Sequence, residues 1–198
     1  MNDTTGDRVI TPCKLKAKIS EYDDLNESQR DQLLAVLIKY QLNLTKRPGK
    51  CNRFEYHFNI ISKLPKLASS RTIPFALRDH VRAQMQDMLI GGVLVESYSD
   101  YVNPLTLVLR EHKPLRICVA ASGANRQMTP DRVKFARMRE LLQRFHGSRY
   151  ITTLDLSSAF LQVPLAKSST KWAAFCFENQ VYQFTTVPYG YKNSLRLL

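Results

Sequence analysis

An α+β fold with antiparallel strands is predicted by three features of the sequence. The N-terminal half carries two apolar patterns at helical spacing. The C-terminal half turns to short apolar runs separated by turn residues, with a helical stretch set among them. Neither an internal repeat nor a regular strand–helix alternation argues for a parallel sheet.

The elements follow in chain order. Residues 1–25 are polar and without period, and they predict a frayed arm. Asn26-Glu27-Ser28-Gln29 has the form of a helix start, with Asn as N-cap and Gln at the third position. Leu33, Leu34, Leu37, Ile38 and Leu42 continue it at helical spacing until Arg47-Pro48-Gly49 breaks it. Phe54, Tyr56, Phe58 and Ile60 alternate and predict a strand or extended arm. Lys63 to Thr72 reads as a basic connector. A second helix opens at Pro74, with Leu77, Val81, Met85, Met88 and Leu89 on its apolar face and Gly91-Gly92 as its stop.

Pro104–Arg110 and Leu115–Ala120 are two short apolar runs around Glu111-His112-Lys113-Pro114, the pattern of a basic hairpin. Residues 121–131 predict a loop, and about 133–145 a third helix carrying Phe135, Met138, Leu141, Leu142 and Phe145. Strands are expected at Tyr150–Leu156, Phe160–Leu165, Trp172–Phe177 and Val181–Val187, the last two joined at Glu178-Asn179-Gln180. Asp155 is expected at the end of a strand beside the 181–187 strand.

Composition narrows the class. The chain has 198 residues, 44% of them hydrophobic, with nine Tyr and nine Phe, which excludes a disordered polar chain. No stretch approaches the roughly 20 apolar residues of a membrane span, and the N-terminus is polar and acidic rather than signal-like. Cys13, Cys51, Cys118 and Cys176 show no metal-ligand or disulfide-framework spacing, so they read as reduced thiols of an intracellular protein, cytoplasmic or nuclear. Lys plus Arg is 29 against 17 Asp plus Glu, a net charge of +12. The excess concentrates between Arg110 and Arg149, with ten basic residues against three acids, whereas the first fifty residues hold nine and seven. Such a stretch fits either a polyanion partner, nucleic acid above all, or a solvated face that keeps the chain soluble.

Three segments have the residue types for chemistry. In Thr152-Thr153-Leu154-Asp155-Leu156-Ser157-Ser158-Ala159-Phe160 a lone carboxylate follows an apolar run. Buried there, it needs a hydrogen-bond donor or a cation, and the small residues after it leave backbone N–H groups open to an anion. The alternative is an Asp that caps its own turn. In Phe184-Thr185-Thr186-Val187-Pro188-Tyr189-Gly190-Tyr191-Lys192-Asn193-Ser194, Gly permits close backbone approach and the tyrosines offer stacking faces for a base; otherwise the aromatics pack on the core. Lys113-Pro114-Leu115-Arg116 sets two cations near a turn, able to clamp phosphate oxygens or simply to be solvated.

In this order and spacing, these segments resemble the reverse transcriptase of gypsy-type long-terminal-repeat retrotransposons. Leu154-Asp155-Leu156-Ser157-Ser158-Ala159-Phe160-Leu161-Gln162-Val163-Pro164-Leu165 is similar to that family's first catalytic motif, and Val187 to Ser194 to its nucleotide-binding motif. Leu115-Arg116-Ile117-Cys118-Val119 with Asn125 resembles its Arg-x-Cys-Val-Asp-Tyr-Arg-x-Leu-Asn signature. Pro48 to Ile60 and Val93 to Pro104 are similar to its earlier passages. The similarity covers roughly residues 48–194.

The resemblance implies a right-hand polymerase: residues 1–47 as an arm and helix before the polymerase, 48–149 as fingers, and 150–198 as a partial palm. The implied reaction is template-directed addition of deoxynucleoside triphosphates to a primer on RNA or DNA, with Mg²⁺. Asp155 would be the catalytic, metal-binding aspartate, and Ser158 and Ala159 would hold the triphosphate through their backbone. Phe160 would crowd the sugar 2′ position, Arg116 and Lys113 would contact the triphosphate, and Tyr189 and Gly190 would face the incoming nucleotide.

The sequence also departs from the family pattern. Ala120-Ala121-Ser122 stands where Asp and Arg are expected, and Ser194-Leu195-Arg196-Leu197-Leu198 leaves the Ser-Pro-Ala pattern. After Asp155 the one acid is Glu178; a Tyr-x-Asp-Asp turn, a thumb and a ribonuclease H part are not reached. A truncated or decayed polymerase, without activity by itself, is therefore expected, with the rest of a polyprotein among its candidate partners. The alternative is a non-catalytic nucleic-acid-binding protein of the same origin.

Overall fold

The computed structural model describes residues 10–45, 48–61, 71–111, 115–131 and 137–197. Its backbone divides into two compact units, 1–49 and 50–198.

In the first unit, α1 (Pro12–Ser20) opens on Pro12, which suits a first helical turn, and buries Leu15 and Ile19. This corrects the expectation of an arm without structure: two apolar positions four apart suffice for one buried stripe but are too few to register as a period. The helix α2 (Glu27–Lys39) starts as its sequence predicts. The Asn26 side chain accepts from the Gln29 N–H at 2.9 Å, and the Gln29 side chain accepts from the Asn26 N–H at 3.0 Å.

The second unit begins with an arm rather than a strand. Cys51 donates to the Gln162 carbonyl (2.6 Å), Tyr56 to that of Pro164 (2.8 Å) and Ile61 to that of Gln127 (2.8 Å). Single bridges at Tyr56 and Ile60 fasten it. The alternation in its sequence faces Phe58 to the core and leaves Phe54 exposed. The helix α3 (Phe75–Ile90) runs from Pro74 to Gly91, with Val81 and Met85 buried. Most of the connector before it, 62–70, lies outside the described residues.

Two antiparallel sheets carry the core. One pairs β2 (Leu105–Val108) with β3 (Arg116–Val119), Leu105 opposite Val119 and Val108 opposite Arg116. The other has β5 (Gln180–Phe184) between β1 (Leu94–Glu96) and β4 (Ala174–Phe177). The β4–β5 turn is Glu178-Asn179, both at positive φ (48° and 67°), as a two-residue hairpin of matching twist requires. Phe175, Phe184, Leu94, Val81 and Val119 fill the space between these elements.

Several expected elements differ. Residues 121–131 hold a short helix, α4 (Ser122–Gln127), whose polar sequence gives no apolar stripe. The third helix, α5 (Met138–Arg144), begins after an extended Arg137; residues 132–136 lie outside the described set, and Leu142 is 61% exposed. Residues 150–156 form no strand. A strand needs a backbone partner, and among the described residues no segment pairs with this one; Leu154 and Leu156 stand 86% and 63% exposed. Phe160–Leu165 is likewise not a strand throughout: a 3-10 turn spans Ala159–Gln162, and only then does the chain extend to meet residues 185–187. Lys171–Ala173 is a second 3-10 turn, so the strand expected from Trp172 starts at Ala174. Its partner ends at Phe184, short of Val187.

Candidate nucleotide-facing site

The site rests on three backbone segments that converge beside β3. The chain leaves residue 157 through Ser158, held in the left-handed region (φ 50°, ψ 45°), and tightens into the 3-10 turn that carries Phe160. Gln162 Nε2 donates to the Ser157 carbonyl (2.8 Å) and closes that bend. The following residues are locked to the segment after β5, because Leu165 donates to the Thr185 carbonyl (2.8 Å) and Val187 to that of Val163 (2.9 Å). The turn at Tyr189-Gly190 lies in turn on β3, where the Val119 N–H donates to the Tyr189 carbonyl at 3.0 Å.

Side chains from all three meet over one ring. The Arg116 guanidinium lies 4.4 Å from the centroid of Tyr189, within cation–π range. Phe160 approaches the same ring edge-on, 5.7 Å between centroids at 82°. Gly190 is required beneath them: its φ is 117°, and a Cβ would be driven into the Val119 carbonyl. Arg116, Phe160, Tyr189 and Gly190 are thus one cluster, with Ser158 and Ala159 leading into it.

Asp155 is not joined to this cluster by any contact among the described residues. It lies exposed in residues 150–156, which form no strand, so it is neither at a strand end nor in a strand beside β5 as expected. Lys113 lies outside the described residues. Glu178 is engaged elsewhere: Arg82 of α3 donates to both its carboxylate oxygens, at 2.6 and 3.3 Å, and also pairs with Asp79. Among the described residues no three His, Cys, Asp or Glu gather in metal-binding range. A cleft of about 540 Å³ opens between Arg71, Arg78 and the Glu178-Asn179 turn, and it shares no residue with the aromatic cluster.

Two sets of polar side-chain bonds were not expected from sequence, although Asn125, Lys192 and Asn193 stand in the segments that carry the resemblance. Asn125 of α4 donates through Nδ2 to the Gly190 carbonyl (2.8 Å) and accepts at Oδ1 from the Lys192 N–H (3.0 Å). Lys192 Nζ reaches the Met128 carbonyl (2.7 Å), and Asn193 Nδ2 reaches that of Thr129 (2.7 Å). Deeper, Asn103 Nδ2 donates to the carbonyls of Trp172 (2.8 Å) and Ala174 (3.0 Å). The Tyr191 hydroxyl also donates to Trp172 (2.6 Å), and its ring stacks on Phe58 at 4.4 Å. Burial holds the Tyr191 phenol well above its ordinary value, with Tyr101 adding to the rise and Asn103 opposing it. Burial also raises the Cys118 thiol, against the lowering influence of Arg116 and Arg110. Side-chain-to-backbone bonds of this kind leave no periodic trace. For Asn125 the available signal is its place in the Cys-Val-to-Asn resemblance.

The chain is similar to known proteins. Residues 106–197 fit the family described as reverse transcriptase (RNA-dependent DNA polymerase). The Pol polyprotein of the Drosophila melanogaster transposon opus is 30% identical over 135 residues, 66% of this chain and 14% of that protein. That of transposon 297 from the same organism is 25% identical over 181 residues, 87% of this chain and 17% of the polyprotein. The chain therefore spans a small part of these curated relatives. Among solved structures, a foamy viral protease–reverse transcriptase in complex with double-stranded DNA covers the whole chain with a TM-score of 0.78 at 18% identity, the chain covering 35% of it. The native prototype foamy virus enzyme covers 94% of the chain with a TM-score of 0.76 at 22% identity, the chain covering 26% of it. At such identity the likeness is one of fold, a mixed α/β chain with antiparallel sheets corresponding to fingers and palm. Residues 106–197 are thus similar to a reverse-transcriptase domain, and the chain is related at low identity to the Pol polyproteins of retrotransposons, that of gypsy among them.

Proposed function

We propose that residues 48–149 serve as fingers and 150–198 as the opening of the palm of an RNA-directed DNA polymerase, and that this polypeptide supplies the nucleotide-facing half of the site. The observation that carries this reading is the convergence of Arg116, Phe160 and Tyr189 over Gly190. The Arg116 guanidinium is positioned to meet a triphosphate or the face of a base. Phe160 is positioned to crowd the sugar, Tyr189 and Gly190 to line the nucleotide, and the N–H groups after Ser158 to face phosphate oxygens. Lys113 joins Arg116 on the triphosphate in this reading.

The resemblance implies Mg²⁺ held by Asp155, and the described residues do not fit a two-metal centre. Such a centre brings several carboxylates around cations about 3.5–4 Å apart. Asp155 stands exposed and belongs to no group of three His, Cys, Asp or Glu among the described residues, and Glu178 is held by Arg82. The 198-residue polypeptide is therefore expected to bind deoxynucleoside triphosphate and template-primer without extending the primer. Relatives of this fold have been solved with double-stranded DNA and with an RNA/DNA hybrid, which supports a template-primer partner for the complete protein.

The deciding experiment measures binding of a fluorescent deoxynucleoside triphosphate alongside primer extension. Binding weakened by Arg116→Ala and by Tyr189→Leu is expected, with no extension. Metal-dependent extension that vanishes in Asp155→Asn would show an active enzyme and overturn the non-catalytic part of the reading. A second reading, a nucleic-acid-binding protein without nucleotide recognition, is favoured by the exposed Arg137, Arg139, Arg144 and Arg149. It predicts duplex and RNA binding indifferent to Tyr189→Leu.

A further inference from the structure

We infer that Asn125 is a positioning residue for the nucleotide-facing cluster, clamping the Tyr189–Lys192 backbone onto β3 so that the Tyr189 ring is held under Arg116. The inference rests on the reading of that cluster as a nucleotide site.

Asn125 uses both ends of its amide on one turn. Nδ2 donates to the Gly190 carbonyl and Oδ1 accepts from the Lys192 N–H, at 2.8 and 3.0 Å. Two bonds in opposite sense fix the peptide planes on both sides of Tyr191. On the far side of Gly190, the Val119 N–H donates to the Tyr189 carbonyl at 3.0 Å. Gly190 is thus gripped between β3 and α4 with no room for a side chain. The Tyr189 side chain leaves the backbone inside that grip, and its ring carries the contacts with both Arg116 and Phe160.

The clamp is also supported from behind. The Asn125 N–H donates to the carbonyl of buried Ala121 at 2.7 Å, and Ala121 lies two residues after the end of β3. Ala120 and Ser122 stand where the family pattern carries charges, so the bonds that Asn125 makes across this region are between neutral groups. They are expected to hold at ionic strengths that screen an exposed ion pair.

The test places a single 3-fluorotyrosine at position 189 and reads its fluorine resonance, together with amide exchange and affinity for a fluorescent deoxynucleoside triphosphate. In the unsubstituted protein a single narrow resonance is expected, unchanged between 50 mM and 500 mM salt. Asn125→Ala should broaden or split it and speed exchange at residues 190–192, while β4 and β5 stay protected. It should weaken triphosphate binding about tenfold, the order expected when one or two neutral hydrogen bonds are lost. In the Tyr189→Leu background the same substitution should cost no further affinity. Asn125→Asp, which keeps the acceptor for Lys192 and loses the donor to Gly190, should fall between the two. Ser122→Ala, on the same helix and outside the clamp, should match the unsubstituted protein. An unchanged resonance and unchanged exchange in Asn125→Ala overturn the inference. So does an affinity loss that persists in the Tyr189→Leu background, which would assign Asn125 a structural role apart from the ring. If the unsubstituted protein binds no triphosphate, the nucleotide reading fails, and the fluorine resonance still decides whether Asn125 orients Tyr189.

Discussion

Replacing Gly190 with alanine tests the geometry on which the site depends. The perturbation adds one methyl group at a position with φ 117°, a region that side-chain-bearing residues rarely adopt. The added Cβ overlaps the Val119 carbonyl oxygen and lies 3.2 Å from its carbon. Its obstacle is strand backbone, so no rotamer change relieves it. Holding the dihedral costs roughly 1–3 kcal/mol. If the turn lifts away instead, the buried Val119 N–H loses the Tyr189 carbonyl, at about 1–3 kcal/mol for a buried donor left unpaired, and the exposed bond from Asn125 to the Gly190 carbonyl is lost with it. Either route leads to a loss of about 1–3 kcal/mol, a sizeable part of the ~5–15 kcal/mol that stabilises a typical domain. The assay is urea denaturation of the whole chain, with Gly92→Ala as comparison: its φ is also positive, but no atom stands within 4 Å of its added Cβ. Gly190→Ala should shift the midpoint well beyond Gly92→Ala. Equal shifts would refute the close approach of the turn to β3.

Other outcomes follow from the same contacts. Because burial raises the Tyr191 phenol, its folded-state value exceeds its unfolded one; stability is intact below about pH 10 and declines as pH rises toward the folded-state value. Tyr191→Phe should flatten that alkaline limb in melts between pH 8 and 11, leaving the smaller share from Tyr101, also raised by burial. Cys118 should react slowly with iodoacetamide at pH 7.5, since its thiol is raised and half-buried, whereas exposed Cys13 reacts at an ordinary rate; mass mapping of alkylation checks the order. RNA affinity should fall on the order of 10²-fold between 50 and 200 mM salt if about four phosphates are contacted, as fluorescence anisotropy would measure; salt-independent affinity would rule out the basic-stretch assignment.

What the sequence made legible follows physical rules. The capping box at Asn26 and the Pro74-to-Gly91 limits of α3 are local chemistry, and the structure has both. The β2–β3 and β4–β5 hairpins were legible because each strand's partner lies a few residues away, and Glu178-Asn179 supplies the two positive φ values that a tight turn needs. The expected strand at 150–156 failed for the opposite reason. Alternating apolar residues announce what a strand could bury, but pairing is decided by a second segment, and Leu154 lies exposed here. Phe160 to Leu165 was misread because Ser158 turns the chain into a 3-10 stretch before it extends. Of the candidate site residues, the structure gathers Arg116, Phe160, Tyr189 and Gly190 and leaves Asp155 apart. The Asn125 and Asn103 bonds were invisible in advance, since a side chain reaching a distant carbonyl depends on tertiary position alone.

That division within the site has a consequence for how recognition and chemistry relate. The aromatic and basic cluster is assembled by backbone hydrogen bonds inside the unit spanning 50–198: β3 to Tyr189, 163 to 187 and 165 to 185. Its geometry is therefore a property of this unit and needs no carboxylate. Asp155 lies in residues 151–156, which form no strand among the described residues, so the bonds that assemble the cluster do not fix the position of its carboxylate. In the proposed reading, nucleotide recognition and metal placement are then separable. Mutations in the Arg116–Tyr189–Asn125 network should act on affinity in this chain by itself. Asp155→Asn should leave triphosphate affinity in the absence of metal unchanged here and matter only where a partner strand holds 150–156. An affinity loss in Asp155→Asn without metal, measured by the same fluorescent-nucleotide titration, would show instead that the two halves of the site are already joined.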